Sequence, residues 1–209
     1  MKSVYPRAGL ALLCAVVLSA CGGGNDGTLQ LAGSISGLQR SGLVLINKNT
    51  GEKLTVPTGS TTFFFTRRLG TDEDFNVVID QDPVGSKCTP SNNVNKANVF
   101  TSTRVQISCQ LNPWTLGGVV RGLADDGVAG NTDGVTLSNG PDTVYVAPSA
   151  TVAGGEVQFS FASLVGDGAP YGINVLAQPA SRTCTVQSPS TGLMPAGNYN
   201  GLVVNCVPK

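Results

Sequence analysis

The sequence predicts an all-β protein built from two tandem β-sandwich domains, and three observations carry that prediction. Only 12% of the 209 residues are charged while 27 are glycine, a composition that suits short strands and tight turns better than helices. Apolar and polar residues alternate over short runs bounded by Gly, Pro, Asn or Asp, which is the period of a half-buried strand. The same pattern then occurs a second time along the chain.

The repeat reads as follows. "LAGSISGL" at 31–38 matches "LGGVVRGL" at 116–123. In "TFFFTRRL" (62–69) and "VQFSFASL" (157–164), Phe63 matches Phe159 and Phe65 matches Phe161. "FNVVIDQDP" (75–83) matches "YGINVLAQP" (171–179), and "VQISC" (105–109) matches "LVVNC" (202–206). The offset grows from 116 − 31 = 85 to 159 − 63 = 96, which places an insertion in the second copy around Asp125–Gly134. A period near 90 residues is too long for a solenoid and describes two domains, 29–112 and 113–209.

Each copy carries seven alternating runs. In the first they are Leu29–Ser36, Leu43–Asn47, Lys53–Pro57, Thr61–Arg67, Phe75–Asp80, Lys87–Ser91 and Arg104–Cys109. In the second they are Leu116–Gly122, Gly134–Ser138, Thr143–Ala147, Glu156–Ala162, Tyr171–Ala177, Thr183–Gln187 and Gly201–Cys206. Asn49-Thr50-Gly51 and Asn139-Gly140-Pro141 are turn sequences. Seven short strands in fewer than 100 residues match an immunoglobulin-like sandwich. A Trp between two inter-sheet cysteines is missing, so the expectation is an Ig-like or related sandwich and not an antibody-type domain.

The N-terminus has a different character. Lys2 and Arg7 precede an apolar run, Ala8–Leu18, that ends in small residues. This is the plan of a secretory signal peptide, and the run is short of the ~20 residues that span a membrane. "LSAC", residues 18–21, resembles the lipobox of bacterial lipoproteins. The resemblance implies cleavage after Ala20, a diacylglycerol on the Cys21 thiol and a lipid-anchored protein of the bacterial cell envelope. Gly22, where Asp would mark inner-membrane retention, points to the outer membrane. Residues 21–28 are then the acylated Cys and a Gly-rich tether. Two or three acyl chains anchor stably, at ~0.8 kcal/mol per buried CH₂.

Six cysteines are present. Cys14 leaves with residues 1–20, and Cys21 takes lipid. Cys88, Cys109, Cys184 and Cys206 remain, and four cysteines allow three connectivities. The repeat selects Cys88–Cys109 and Cys184–Cys206, because each copy then folds with its own staple. Export makes oxidation possible. No C-x-x-C spacing and no histidine support a metal or redox role.

The series Gly-Leu, Phe-x-Phe, Val-x-Val-x-x-Gln-Pro, Cys-x-Val and Val-x-Cys resembles a cysteine-bearing β-repeat of proteobacterial envelope lipoproteins. It is written here as "GL" at 37–38 and 122–123, "GLVL" at 42–45 and "GINVLAQPASRTCTV" at 172–186. The first copy departs from it at "DQDPVGSKCTP", where Asp82 stands between Gln81 and Pro83. The resemblance covers about residues 29–209 and implies a sandwich fold and an envelope location. It brings no catalytic residues and no cofactor.

Several clusters are candidates for chemistry. Asp125, Asp126, Asn131 and Asp133 share one Gly-rich stretch, the oxygen-rich setting that Ca²⁺ prefers, although the EF-hand order is not met. Asp72, Glu73 and Asp74 could serve an enzyme only if they converged in a cleft, with Asp125 as a further candidate. Phe64 faces away from Phe63 and Phe65, and Trp114 follows Pro113 at the boundary of the copies, so both are possible surface contacts; a Trp there could stack on a sugar ring, but at a domain junction it is expected to fill the contact between the domains. The absence of histidine removes His-based catalysis, and no G-x-S-x-G elbow occurs. Basic and acidic residues are equal at 13 each, with no basic run to engage nucleic acid. The expected partners are therefore the membrane, through the lipid, and an envelope protein or glycan. The function expected is structural or interaction-mediating without catalysis, with a ligand-binding or adhesive module as the alternative.

Overall fold

The computed structural model describes residues 27–123, 133–148, 156–187 and 189–209. The signal stretch, Cys21 and residues 22–26 lie outside the described residues, as do Asp125, Asp126 and Asn131.

The described chain is all strand and turn. In the first unit β1 (Leu29–Ser36), β4 (Thr62–Leu69), β6 (Ser86–Ser91) and β8 (Val105–Leu111) form one sheet in the order β4-β1-β8-β6. β2 (Leu43–Asn47), β3 (Glu52–Val56), β5 (Asp74–Gln81) and β7 (Val94–Lys96) form the facing sheet, β3-β2-β5-β7. The second unit repeats this plan. After β9 (Pro113–Trp114), β10 (Leu116–Arg121), β13 (Val157–Ser160), β16 (Arg182–Val186) and β18 (Tyr199–Pro208) form the sheet β13-β10-β18-β16. β11 (Val135–Asn139), β12 (Asp142–Val146), β15 (Pro170–Ala177) and β17 (Thr191–Leu193) form β12-β11-β15-β17, while β14 (Val165–Gly166) pairs with β9. These are two Ig-like β-sandwiches whose facing sheets hold eight strands each among the described residues, in place of the expected seven. The added strand, β7 or β17, is three residues long and lies at a sheet edge, where no alternating buried face announces it.

The first and last strands of each unit pair in parallel, Gly33↔Val105 through Ser36↔Ser108 and Gly118↔Leu202 through Arg121↔Asn205. Glycine permits this approach. A Cβ on Gly33 would lie 2.1 Å from the Val105 carbonyl oxygen, and one on Gly118 2.0 Å from that of Leu202. The repeated Gly-Leu has a related cause. Gly37 and Gly122 adopt φ of +72° and +71°, and a Cβ there would meet the carbonyl oxygens of Cys109 and Cys206 at 2.1 and 2.2 Å. Leu38 and Leu123 then turn into the cores.

Two separate cores result. Leu31, Leu43, Leu45, Phe63, Phe65, Phe75 and Ile107 are among those that fill the first, and Leu116, Leu137, Phe159, Phe161, Ile173 and Leu202 the second. The alternating Phe-x-Phe places edge-to-face pairs at 6.0 Å in one core and 5.9 Å in the other, the geometry aromatic quadrupoles prefer. Asn47, 1% exposed, accepts the Asn76 N–H at 3.1 Å, and Asn139 accepts the Gly172 N–H at 3.0 Å. Each satisfies a backbone donor that the neighbouring ladder leaves over.

Cys88–Cys109 and Cys184–Cys206 are both disulfides. They do not bridge the two sheets. Each joins directly opposed residues of an edge strand and a central strand in one sheet, with Cα atoms 4.0 and 3.9 Å apart. The polar residue before the proline supports that edge. Asp82 accepts the Cys88 N–H at 2.8 Å, and Gln178 accepts the Cys184 N–H at 2.7 Å while donating to the Cys184 carbonyl at 2.9 Å. Asp82 is therefore no intrusion in the first copy; it does the work of Gln178.

Two outcomes test this description. Replacing Cys184 and Cys206 together by Ala should cost the second unit ~3 kcal/mol, the value expected for a loop of this length. The first unit's melting transition should stay in place; an equal fall in both would contradict separate cores. Gly122→Ala should lower the second unit's stability by about 1–3 kcal/mol through its left-handed φ and the carbonyl contact, and an unchanged melting temperature would contradict that contact.

Candidate functional site

The acidic turn between β4 and β5 does not form a catalytic cleft. Glu73 accepts the Gly70 N–H at 2.8 Å and pairs with Arg67 at 2.9 Å. Asp74 pairs with Lys96 at 3.2 Å, both of them largely exposed. Asp72 holds the turn with φ of +62°, and the backbone closes it through Asp72 N–H to Ala97 and Ala97 N–H to Glu73, both 2.8 Å. The Glu73 and Asp74 carboxylates have separate partners and Asp72 is held through its backbone, so the cluster reads as turn hardware. Of the candidate calcium ligands only Asp133 is described, and no group of three or more His, Cys, Asp or Glu placed to hold a metal occurs among the described residues.

Phe64 is 57% exposed on the outer side of β4, opposite Ala32 on β1. It borders a groove of about 300 Å³ with Leu54, Thr55, Ser60, Thr62 and Thr66. At the matching place in the second unit Ser160 stands opposite Gly117. There the surface opens into a groove of about 450 Å³ lined by Thr115, Gln158, Ser160 and Asn200. One unit thus carries an aromatic ring where the other has a shallow polar groove.

Trp114 is not a free stacking platform. It is half-buried against the second core, and its indole N–H points to the Asp167 carboxylate at 3.4 Å. The structure does not bring Trp114 and Phe64 to one site, because Phe64 faces out from the first unit while Trp114 lies in the seam between the units. Asp167 organises that seam. Its N–H donates to the Asn112 carbonyl at 2.8 Å, and its carbonyl accepts the Arg40 guanidinium at 2.7 Å. Asn112 in turn donates to the Gly85 carbonyl at 2.9 Å. Sequence reasoning missed Arg40 and Asp167, which stand 127 residues apart and share no pattern.

The seam turn is the second copy of the acidic turn. Gly70-Thr71-Asp72-Glu73 corresponds to Gly166-Asp167-Gly168-Ala169, and Gly168 repeats the φ of +62° seen at Asp72. Met194 takes the part of Ala97, accepting the Gly168 N–H and donating to Ala169, both at 2.8 Å. Nearby, Tyr171 and Tyr199 lie with ring centroids 5.7 Å apart. Burial, followed by the hydrogen bond to Tyr199 and its charge, pushes the Tyr171 hydroxyl above its ordinary value of 10.0. Its contribution to stability is present below that value and is lost as pH rises through the elevated one.

No family model matches the chain, and no curated protein matches it. Among solved structures, the C-terminal fragment of the pilus adhesin SpaC from Lactobacillus rhamnosus GG aligns at 8% identity and a TM-score of 0.39, covering 85% of this chain and 98% of that one. The major pilin protein (T-13) from Streptococcus pyogenes aligns at 9% identity and a TM-score of 0.26, covering 87% and 97%. At these scores the likeness describes the neighbours alone, and the fold class of this chain rests on its own sheets. No helix among the described residues is long and apolar enough to cross a membrane.

The seam has a convenient reporter, since Trp114 is the chain's single Trp. Asp167→Ala should shift its emission to the red as the indole loses its partner and gains water. Unchanged emission would show that the Asp167 carboxylate does not hold the indole.

Proposed function

We propose that this chain is a lipid-anchored lipoprotein of the bacterial outer membrane whose two sandwiches form a non-catalytic spacer with a protein-interaction role. The observation that carries the reading is the parallel pairing of first and last strands. In an antiparallel pair the chain would return to the end where it began. Here it enters each unit at one end and leaves at the other, so the units are strung in sequence, with the seam of Asn112, Trp114 and Asp167 between them. Strands of eight residues rise about 3.3 Å each, so each unit adds roughly 25 Å of reach from the anchor. Removing Lys2 and Arg7 from 13 basic residues leaves 11 against 13 acidic, which supports no nucleic-acid or strongly electrostatic partner.

The second reading is an adhesive module that takes a carbohydrate. It is favoured by the groove of Thr115, Gln158, Ser160 and Asn200, whose hydroxyl and amide groups suit sugar hydroxyls. Gln158→Ala with Ser160→Ala would abolish glycan retention under that reading and change nothing under the first.

The anchor itself is tested by Cys21→Ser. Metabolic labelling with a radiolabelled fatty acid should disappear, and the protein should move from the membrane fraction to the soluble fraction. Continued labelling would contradict acylation at Cys21.

A further inference from the structure

We infer that the free end of the first unit is a bilayer-contacting end, and that Val99 and Phe100 are the residues that enter the lipid interface. This rests on the lipid-anchor reading above and adds a second membrane contact to it.

The first observation is a turn built to hold two apolar side chains in water. The Asn98 side-chain oxygen accepts the N–H of Phe100 at 2.8 Å and of Thr101 at 3.0 Å. The Thr101 hydroxyl accepts the Asn98 N–H at 3.0 Å and donates to the Lys96 carbonyl at 2.6 Å. This reciprocal pairing is that of a capping box. Ser102 donates to the Asn98 carbonyl at 3.1 Å, and its own carbonyl accepts the Ala32 N–H at 2.8 Å, which fastens the turn to β1. Val99 and Phe100 at its tip are each 69% exposed. Single exposed apolar residues need no explanation. Two adjacent ones on a turn fixed by these six hydrogen bonds form a defined patch.

The second observation is where this tip lies. Ala97, next to Asn98, is bonded to Asp72 and Glu73. Gly27 packs on Leu69 and Gly70, and Arg68 donates to the Thr28 carbonyl at 3.0 Å. The tip and the point where the N-terminal segment meets the fold therefore share one end of the unit, and β8 carries the chain to the opposite end. Five residues lie between Cys21 and Gly27, a reach of at most about 20 Å. Acylation at Cys21 thus brings this end to the bilayer surface.

The third observation is the comparison between units. In the second unit the same end is covered, because its turn at Asp167 docks on Asn112, Trp114 and Arg40. Its counterparts of Val99 and Phe100 are Ala196 and Gly197. The large apolar pair occurs on the copy whose end no described residue covers. Arg67, Arg68, Lys96 and Arg104 stand at this end against Glu52, Asp72, Glu73 and Asp74, four positive charges to four negative, so these groups present no net negative charge to anionic headgroups.

The test uses full-length acylated protein in vesicles of phosphatidylethanolamine and phosphatidylglycerol. Phe100→Cys, and separately Phe64→Cys as control, are labelled with an environment-sensitive nitrobenzoxadiazole dye. Nitroxide lipids should quench the label at position 100 several-fold more than the label at 64, with a blue shift at 100 alone. Hydrogen exchange at residues 98–102 should slow on vesicles in the wild type and stay fast in a Val99→Ser, Phe100→Ser chain. Equal, solvent-like emission at both positions in protein that floats with the vesicles would overturn the tip contact and leave the anchor standing. Protein that carries no lipid and does not float would overturn the anchor and this contact together.

Discussion

Both units depend on the close parallel contact between their first and last strands. Gly33 lies against the Val105 carbonyl and Gly118 against that of Leu202, at separations no side chain would allow. Parallel neighbours cannot be joined by a tight turn, and the intervening chain runs through the facing sheet while placing β4 and β6, or β13 and β16, on the outer edges of the sheet that holds the parallel pair. The opposite placement of the two chain ends follows. The disulfides belong to this scheme as fasteners of an edge. They tie β6 to β8 and β16 to β18, while the two sheets of each unit meet through their apolar cores, joined in the first unit by Glu52 on β3, which accepts the Thr66 and Arg67 N–H groups of β4 at 2.7 and 3.2 Å. For a domain of fewer than 100 residues, whose core is small, an extra fastener on the last strand protects the pairing that defines the fold.

Much of this was legible in the residues. β1 and β2 occupy the runs read from alternation, and the paired Phe-x-Phe motifs lie in the two cores as their spacing implies. Boundaries drifted where tertiary contacts overrode the period. β4 runs on to Leu69 because a register shift between Gln30 and Ala32 lets Arg67 and Arg68 both face water before Leu69 turns inward. β18 starts at Tyr199, before the expected Gly201, since its first residue pairs with Leu116. β7, β9, β14 and β17 are two or three residues long, too short to show any period. Trp114 at the boundary of the copies pointed to the seam, but its partners were hidden for another reason. Arg40, Asp167 and Trp114 meet only after both units have folded, and no local pattern links them.

The candidate surfaces gain their meaning from comparing the copies. Asp72–Asp74 looked like a cluster of carboxylates with chemical potential. Its counterpart in the second unit is the turn that docks on the first. The same turn and the same end of the sandwich thus serve as a joint in one copy and as an open surface in the other. The differences between copies, Phe64 against Ser160 and Val99-Phe100 against Ala196-Gly197, fall on such surfaces while the cores stay alike. That is how a duplicated domain diverges when its copies meet different neighbours.

The central claim is that the units are strung from one end to the other. The most direct measurement is the distance between spin labels at Thr71→Cys, in the free turn of the first unit, and Ser181→Cys, beside the C-terminal Lys209. Two units of eight-residue strands in sequence predict one population beyond about 40 Å. A dominant population under about 30 Å, two strand-lengths folded side by side, would contradict it.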